Sequence, residues 1–318
     1  VDSCSPKRHV PSTDRHMRML AFMMLALSPA SALKVLVTGA GGRTGRLVFE
    51  QLQQDASMSP VGLVRSRKAE KALRKVGAGD DDIVRGDVTD TNVLAGAMAG
   101  CDGIVLCTSA VPQIKPLSIV KLLFKKTVLR RADPGRPQFR FSPGGTPEEV
   151  DWLGAKMQID AAKAAGVKRF VFVSSMGGTQ PDNFLNSIGR RADGSGGDIL
   201  LWKRKAERYL VASGLEYSII HPGGLVDDPG AKRELRVGVG DALLQEEFRQ
   251  VPRADVARVS CAALTSPEAA KVSFDLASRP EGEGEPTAEA ASLFSVLGGR
   301  SCDYQGTVLP DPPSIFAE

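Results

Sequence analysis

The chain has 318 residues, of which 42% are hydrophobic and 25% charged. These values exclude wholesale disorder, a collagen-like chain and a polytopic membrane protein. The formal net charge is +4, but it is unevenly distributed, with +2 in residues 1–18, +7 in residues 112–141 and −5 in the remainder. Because the body of the chain is mildly acidic, we expect no nucleic-acid partner.

Few residues of the chain are suited to binding a metal. Its five cysteines form no CxxC pair, and two of its three histidines, His9 and His16, lie close to the first residue. Metal sites and disulfide frameworks usually show closely spaced ligands or paired cysteines. We therefore expect neither a metal site nor a disulfide framework.

A short apolar run at residues 19–32 follows two arginines and ends in the small residues Ala30, Ser31 and Ala32. The run is shorter than the roughly 20 residues that a membrane-spanning helix needs, and it is typical of a signal-peptide core with a cleavage site. In algae with complex plastids, such a segment can be the first part of a plastid address. We expect residues 1–32 to be a targeting leader that is cleaved or disordered; the alternative is a leader that packs on the body.

The first strand pattern, KVLVT at residues 34–38, leads directly into a glycine-rich turn and a helical pattern. The spacing of Gly39, Gly42 and Gly45 allows a tight turn, close approach of the backbone to a pyrophosphate, and close packing of helix on strand. The helix that follows presents free N–H groups to phosphate. A dinucleotide is therefore predicted to contact Gly39, Gly41, Gly42, Arg43, Thr44 and Gly45.

The second strand pattern, at residues 61–64, is followed by Arg65 and Arg67. Proteins that bind NAD usually place an acidic residue here, where it accepts a hydrogen bond from the ribose 2′-hydroxyl. Arginines instead suit the 2′-phosphate of NADP, and Arg43 of the glycine turn is a third candidate. The sequence therefore favours NADP as the cofactor.

Four more strand patterns alternate with helical patterns, at residues 83–88, 102–108, 169–173 and 217–220. This alternation predicts an α/β fold with a doubly wound parallel sheet. Ligands of such sheets lie outside the carboxyl ends of the strands. We therefore expect the adenine near Asp87 and the rest of the cofactor near the other strand ends, at Thr108, Ser109, Ala110, Ser174, Pro222, Gly223 and Gly224.

The stretches TGAGGRTG, GDVTD, VKRFVFVSSMGGTQ and EYSIIHPGGL resemble atypical short-chain dehydrogenases/reductases, in particular NmrA-like and Tic62-like NAD(P)-binding proteins of plant plastids. The resemblance runs from about Leu33 to Leu297. It implies a Rossmann-type domain at residues 33–300 with a small C-terminal substrate-side region and bound NADP. Residues 301–318 contain three prolines and are expected to form an extended tail. The resemblance also implies a plastid protein; the secretory pathway and the cytoplasm are the alternatives.

The same resemblance addresses catalysis. In the wider superfamily a Ser steadies the substrate carbonyl, a Tyr transfers the proton, and a Lys four residues later assists the Tyr and holds the ribose. Ser175 matches the Ser and Lys203 matches the Lys, but Ile199 stands where the Tyr is expected. An Ile transfers no proton, which leaves Lys203, His221 or solvent as the proton source.

Two functions remain open from these residues. The first is an NADP(H)-dependent oxidoreductase that transfers hydride to a small organic acceptor without the usual Tyr acid. The alternative is a non-catalytic NADP(H)-binding redox sensor or scaffold protein. The sequence does not identify the acceptor.

The basic segment at residues 112–141 interrupts the passage from the fourth strand to the next helix. Its core, SIVKLLFKKTVLRR, predicts a short basic amphipathic helix. Four roles fit such a helix: a lid on the pocket, a contact with an anionic membrane surface, a contact with an acidic protein partner, or plain packing on the acidic body.

Overall fold

The structure is a computed structural model, and it describes residue 1 together with residues 32–130, 133, 135–306 and 310–314. The chain divides into residues 1–32 and residues 33–318, and the fold below is that of the second unit. The predicted leader lies almost entirely outside the described residues.

The strands, numbered in chain order, are β1 (Leu33–Thr38), β2 (Met58–Val64), β3 (Ile83–Arg85), β4 (Gly103–Leu106), β5 (Gln113–Ile114), β6 (Phe139–Arg140), β7 (Arg169–Val173), β8 (Tyr217–Pro222), β9 (Gly224–Val226), β10 (Leu235–Gly238), β11 (Gln250–Pro252) and β12 (Val272–Ser278). The α-helices are α1 (Arg43–Gln54), α2 (Arg67–Arg74), α3 (Thr91–Met98), α4 (Pro116–Thr127), α5 (Ala155–Ala164), α6 (Phe184–Ser187), α7 (Ile199–Ala212), α8 (Arg253–Thr265) and α9 (Ser292–Leu297). A π-helix (Glu148–Gly154) precedes α5, and two 3₁₀ turns lie at Ala242–Gln245 and Pro267–Ala269.

Eight strands form the central sheet, in the order β10-β12-β8-β7-β4-β1-β2-β3. Neighbouring strands run parallel except for β10 and β12, which are antiparallel. The strand order reverses between β1 and β4, so a crevice opens there at the carboxyl ends of the strands. The predicted α/β fold with a doubly wound parallel sheet is confirmed.

Alternation along the strands sends side chains into two cores, one on each face of the sheet. In β1, Val35 and Val37 belong to one core, whereas Leu36 belongs to the other. Helices α1, α8 and α9 cover the first face, and α3, α5 and α7 cover the second. Both faces of the sheet are therefore buried, as is usual for parallel sheets.

The basic segment forms an excursion between β4 and the π-helix. Strands β5 and β6 pair antiparallel, with Gln113 opposite Arg140 and Ile114 opposite Phe139, and α4 lies between them in the chain. The predicted amphipathic helix is thus present at Pro116–Thr127. Within the described part of the chain, no helix is both long and apolar enough to cross a membrane.

The described residues of the C-terminal segment form neither helix nor strand but lie against the body. The backbone N–H of Cys302 donates to the carbonyl of Ser273 in β12, at 2.8 Å. Further along, Asp311 pairs with Lys205 of α7, at 2.9 Å. The segment is held to β12 and to α7, and its extended form stays a prediction.

Replacing Phe274 by Ala tests how β12 is held against α9. Phe274 and Phe294 are fully buried and pack edge to face, with ring centroids 5.8 Å apart. We expect Phe274→Ala to lower the free energy of unfolding by about 3–5 kcal/mol, because it leaves a cavity. The control is Val296→Ala, in the helix that carries Phe294, at a side chain that is 63% exposed. It should change the free energy of unfolding by less than about 0.5 kcal/mol. Urea denaturation measures both; equal effects would contradict the packing role.

Candidate functional site

The glycine turn between β1 and α1 leaves no room for larger side chains. A Cβ on Gly41 would lie 2.3 Å from the Cβ of Ala69, and one on Gly45 would lie 2.4 Å from the carbonyl oxygen of Gly39. Gly39 itself has a φ of +68°, a conformation that favours glycine. Gly42 caps α1 without a side-chain hydrogen bond, and the first turn holds no acidic residue. The turn therefore leaves backbone N–H groups open to an anion, as a bound pyrophosphate requires.

A cavity of about 670 Å³ opens beside this turn, at the carboxyl ends of β1 to β4. Eleven of the residues predicted to bind the cofactor line it together: Gly39, Gly41, Gly42, Arg43, Thr44, Gly45, Arg65, Asp87, Thr108, Ser109 and Ala110. Its size and position suit a dinucleotide. Individual contacts of these residues with a cofactor stay predictions.

The positive charge at this cavity comes from three arginines, two at helix starts (Arg43 and Arg253) and one directly after β2 (Arg65). Arg65 lies 3.9 Å from the carboxylate of Asp87 and donates a hydrogen bond to the carbonyl of Gly144, at 3.4 Å. Arg43 and Arg253 both pair with the carboxylate of Asp227, Arg253 at 2.7 Å. Arg67, in contrast, is not among the lining residues. Of the arginines predicted to face a 2′-phosphate, Arg65 and Arg43 therefore line the cavity, whereas Arg67 does not.

Arg253 was not predicted to line this cavity. Its position at the start of α8 brings it to the cavity wall next to Leu225 of β9. The pairing of β9 with β11, which ends at Pro252, places Arg253 there. That pairing is a long-range contact, and the local sequence carries no signal for it.

Lys203 lies in a buried ion pair rather than at the cavity surface. Its Nζ is 2.7 Å from Oδ1 of Asp151, and the two side chains are 6% and 0% exposed. The other carboxylate oxygen, Oδ2, accepts a hydrogen bond from the backbone N–H of Ala110, at 3.2 Å. Lys203 therefore supports the cavity wall through Asp151, a residue of the π-helix that sequence analysis missed.

A second buried contact holds the same wall. The side-chain amide of Gln158 donates to Oγ1 of Thr108 at 3.3 Å and to the carbonyl of Gly154 at 2.9 Å. Gln158 is fully buried on α5. Together with Asp151 it fixes the stretch Thr108–Ala110, which lines the cavity.

His221 lies in a buried charged cluster away from the dinucleotide cavity. Its Nε2 is 3.3 Å from Glu207 and its Nδ1 is 3.4 Å from Asp275. Burial lowers the pKa of His221. The charge of Glu207 and hydrogen bonds within the cluster raise it by more, so that it lies well above the usual 6.5. For Glu207, burial raises the pKa, but His221 and Arg204 lower it by more, to about 2. The structure thus pairs His221 with Glu207 and Asp275 and leaves it outside the cavity lining, and its role as a proton source stays a prediction.

The C-terminal segment closes this cluster. The hydroxyl of Tyr304 donates to Glu207 at 3.0 Å and lies 2.7 Å from the hydroxyl of Ser273. The thiol of Cys302 lies 3.7 Å from Nδ1 of His221. Residues from α7, β8, β12 and the segment after α9 therefore share one buried polar network.

Neither serine after β7 lines the dinucleotide cavity. The hydroxyl of Ser174 donates to Glu207 of the charged cluster, and that of Ser175 donates to the carbonyl of Met176, at 3.2 Å. Ser175 borders a small cavity of about 10 Å³ next to His221. Ser174 as a cofactor contact, Ser175 as a catalytic group and Lys203 in both roles stay predictions, and none of the three is among the residues that line the dinucleotide cavity.

The turn after β8 packs against protein rather than against the cavity. A Cβ on Gly223 would lie 1.9 Å from the carbonyl of Arg249, and the N–H of Gly224 donates to the same carbonyl at 2.8 Å. Pro222 ends the buried strand β8. Pro222, Gly223 and Gly224 are not among the residues that line the cavity, and their cofactor contacts stay predictions.

The cavity contains little acid–base chemistry of its own. No Tyr, His or Lys lines it within the described ranges of the chain. Burial raises the pKa of the Cys107 thiol at its wall to about 12, so this thiol stays protonated. The glycine turn and the arginines fit a dinucleotide, and a nicotinamide held there would supply the hydride; the residues of this chain would bind and orient it.

Comparison with known proteins decides the family. A family model described as NAD(P)H-binding matches residues 39–267, which include the glycine turn, the cavity and Lys203. The chain belongs to this NAD(P)H-binding family.

Two relatives are similar to this chain over most of its length, and one solved structure shares its fold. An uncharacterised chloroplastic protein of Arabidopsis thaliana is 46% identical over 282 residues, which cover 87% of this chain and 79% of that one. Sanguinarine reductase of Eschscholzia californica is 43% identical over 270 residues, 83% of this chain and 95% of that one. A Bacillus halodurans protein named as an NAD-dependent epimerase/dehydratase has the same fold, with a TM-score of 0.59, 24% identity, and coverage of 84% and 100%.

These matches confirm the resemblance to plastid-associated NAD(P)-binding proteins. The predicted plastid localisation is confirmed at the level of the family, since the Arabidopsis relative is chloroplastic. An oxidoreductase-like role is supported by the reductase from Eschscholzia. The matches determine neither the acceptor nor the choice between NAD and NADP.

Breaking the buried ion pair tests its role in the site. Asp151→Asn would leave the ammonium group of Lys203 buried without a counter-charge, and we expect it to lower the free energy of unfolding by about 3–5 kcal/mol. The matched control is Asp80→Asn, which removes the 86%-exposed partner of Arg74 and should cost less than about 1 kcal/mol. Chemical denaturation measures both; a cost for Asp151→Asn no larger than the control would contradict the pair's structural role.

Proposed function

We propose that the protein is an NADPH-dependent reductase that transfers hydride to a small organic acceptor. The observation that carries the proposal is the cavity that the glycine turn lines together with Arg43 and Arg65. The 43% identity to a reductase over nearly the whole of both chains supports the direction of transfer. The protein's own residues would bind the cofactor, orient it and limit the access of water.

NADPH is favoured over NADH by the residues that follow β2. Position 65 holds an Arg where an NAD-binding protein commonly has an acid, and its guanidinium lies at the cavity wall next to Asp87. Arg43 lies in the turn that would hold the pyrophosphate. A 2′-phosphate between these two groups would gain charge-assisted hydrogen bonds.

The acceptor class follows from the missing acid. Ile199, at the start of α7, occupies the position of the usual Tyr, and Lys203 is paired with Asp151. An acceptor that needs a proton in the transition state would find no Tyr, His or Lys among the described residues that line the cavity. Acceptors such as quinones instead form a stabilised anion on hydride addition, and solvent can protonate that anion afterwards. We therefore expect the substrate to be an electron-poor acceptor of this kind.

The replacement of the usual Tyr by Ile199 and the pairing of Lys203 with Asp151 also favour a second function. This function is a redox sensor or scaffold that binds NADP(H) without turnover. Its cavity would need only to hold the cofactor, and the buried Lys203–Asp151 pair would need only to keep the wall rigid. The two functions differ in one measurable property, which is whether bound NADPH is ever oxidised by an organic acceptor.

Replacing Arg65 by Ala tests the cofactor choice. Because a lost charge-assisted contact costs about 1.5–3 kcal/mol, we expect NADPH to bind roughly 10- to 100-fold more weakly while NADH affinity is unchanged. Arg67→Ala, two residues further on and outside the cavity lining, is the control. Calorimetric titration with both nucleotides gives the values, and an equal loss for NADPH and NADH would refute a 2′-phosphate contact.

Stopped-flow measurement of NADPH oxidation separates the two functions. The purified protein is mixed with NADPH and with a panel of quinones, flavins and enones, and with simple ketones as the negative set. We expect turnover with quinones and none with simple ketones, which require an acid. Tight NADPH binding without oxidation by any acceptor would overturn the reductase and support the sensor.

A further inference from the structure

Helix α4 and the residue after it expose a row of apolar side chains. Leu117, Val120, Leu123, Phe124 and Val128 are 74%, 62%, 56%, 53% and 61% exposed. Scattered apolar residues are common on protein surfaces, but a continuous patch marks an interaction site. The described part of the chain supplies no cover for this row.

Helical periodicity shows how the row is arranged. At about 100° per residue, Leu117, Val120, Leu123 and Phe124 share one outward face that is roughly 120° wide. Lys121 and Lys125 lie along one edge of that face, and Lys126 lies beyond the other edge. No ion pair of these three lysines with a carboxylate occurs among residues 32–130, 133, 135–306 and 310–314.

The opposite side of the helix is fixed to the protein. Ser118 is buried; its hydroxyl donates to the carbonyl of Lys115 at 2.6 Å and accepts from the N–H of Gln138 at 3.0 Å. The N–H of Lys115 in turn donates to the carbonyl of Gln138, at 2.8 Å, next to the pairing of β5 with β6. The apolar face is therefore presented outward on a braced support.

We propose that α4 docks the protein on an anionic membrane surface. An apolar face bordered by lysines is the pattern of a helix that lies in the plane of the interface, with its apolar side chains at the acyl boundary. The lysine ammonium groups reach the lipid phosphates at the end of their flexible stems. The proposal goes beyond the reductase function, because it concerns a surface outside the cofactor cavity.

Charge favours this occupant over a second copy of the chain. Two copies meeting through α4 would bring Lys121, Lys125 and Lys126 against the same lysines, and like charges in contact repel. An anionic bilayer matches both the charge and the apolar width of the face. An acidic protein partner is the other occupant that an experiment must separate.

Vesicle flotation with the full chain tests the proposal. Vesicles of phosphatidylcholine with about 30% phosphatidylglycerol are compared with pure phosphatidylcholine at low and high salt. We expect binding to the anionic vesicles and at least about tenfold weaker binding for the triple variant Lys121→Glu, Lys125→Glu, Lys126→Glu, since each lysine near the surface contributes separately. The triple variant Val120→Ser, Leu123→Ser, Phe124→Ser should lose binding as well, because the apolar face is removed.

The matched control carries the same charge change elsewhere, as Lys75→Glu, Lys163→Glu, Lys232→Glu on exposed positions. It should keep vesicle binding, and all variants should keep NADPH affinity, which shows that they fold. Equal loss in the control, or full binding by either α4 variant, would overturn the proposal. Failure of the wild-type chain to bind anionic vesicles would also overturn the proposal. In that case, α4-dependent cross-linking to an acidic protein would identify the occupant as a protein.

Discussion

The buried pair of Lys203 and Asp151 is the interaction on which the site depends. Two opposite charges removed from water are stable only when they stay together. The pair therefore fixes α7 against the π-helix, and the hydrogen bond that the backbone N–H of Ala110 donates to Asp151 extends the constraint to the loop after β4. In this protein the Lys that resembles a catalytic group acts as a brace for the cavity wall.

The fold was accessible from sequence because its signals are local. Each strand is a short apolar run, the glycine spacing marks the first turn, and the topology then brings the loops at the carboxyl ends of the strands around one cavity. This logic placed Gly39, Arg65 and Thr108 on the same cavity. It could not find Asp151, whose partner lies 52 residues away and whose own segment shows no acid–base motif.

Side-chain direction was the part that the sequence could not determine. Strand β8 is buried on both faces, so its pattern does not show which way His221 points. The structure directs it towards Glu207 and Asp275. The same limit applies to Gly223, because a glycine needed for backbone packing looks the same in a sequence as one needed for a phosphate. Among the basic residues described above, the structure separates the arginines that line the cavity from the lysines on α4.

The buried network around Glu207 has a consequence for how the chain is made. Cys302 and Tyr304 follow every helix and strand of the described chain, yet they cover His221 and Glu207. During synthesis, the sheet and α7 emerge from the ribosome before their cover does. Co-translational folding, which proceeds from the N-terminal side, therefore finishes only when residues beyond α9 have left the exit tunnel. Until then the nascent protein exposes a charged site that its mature form hides.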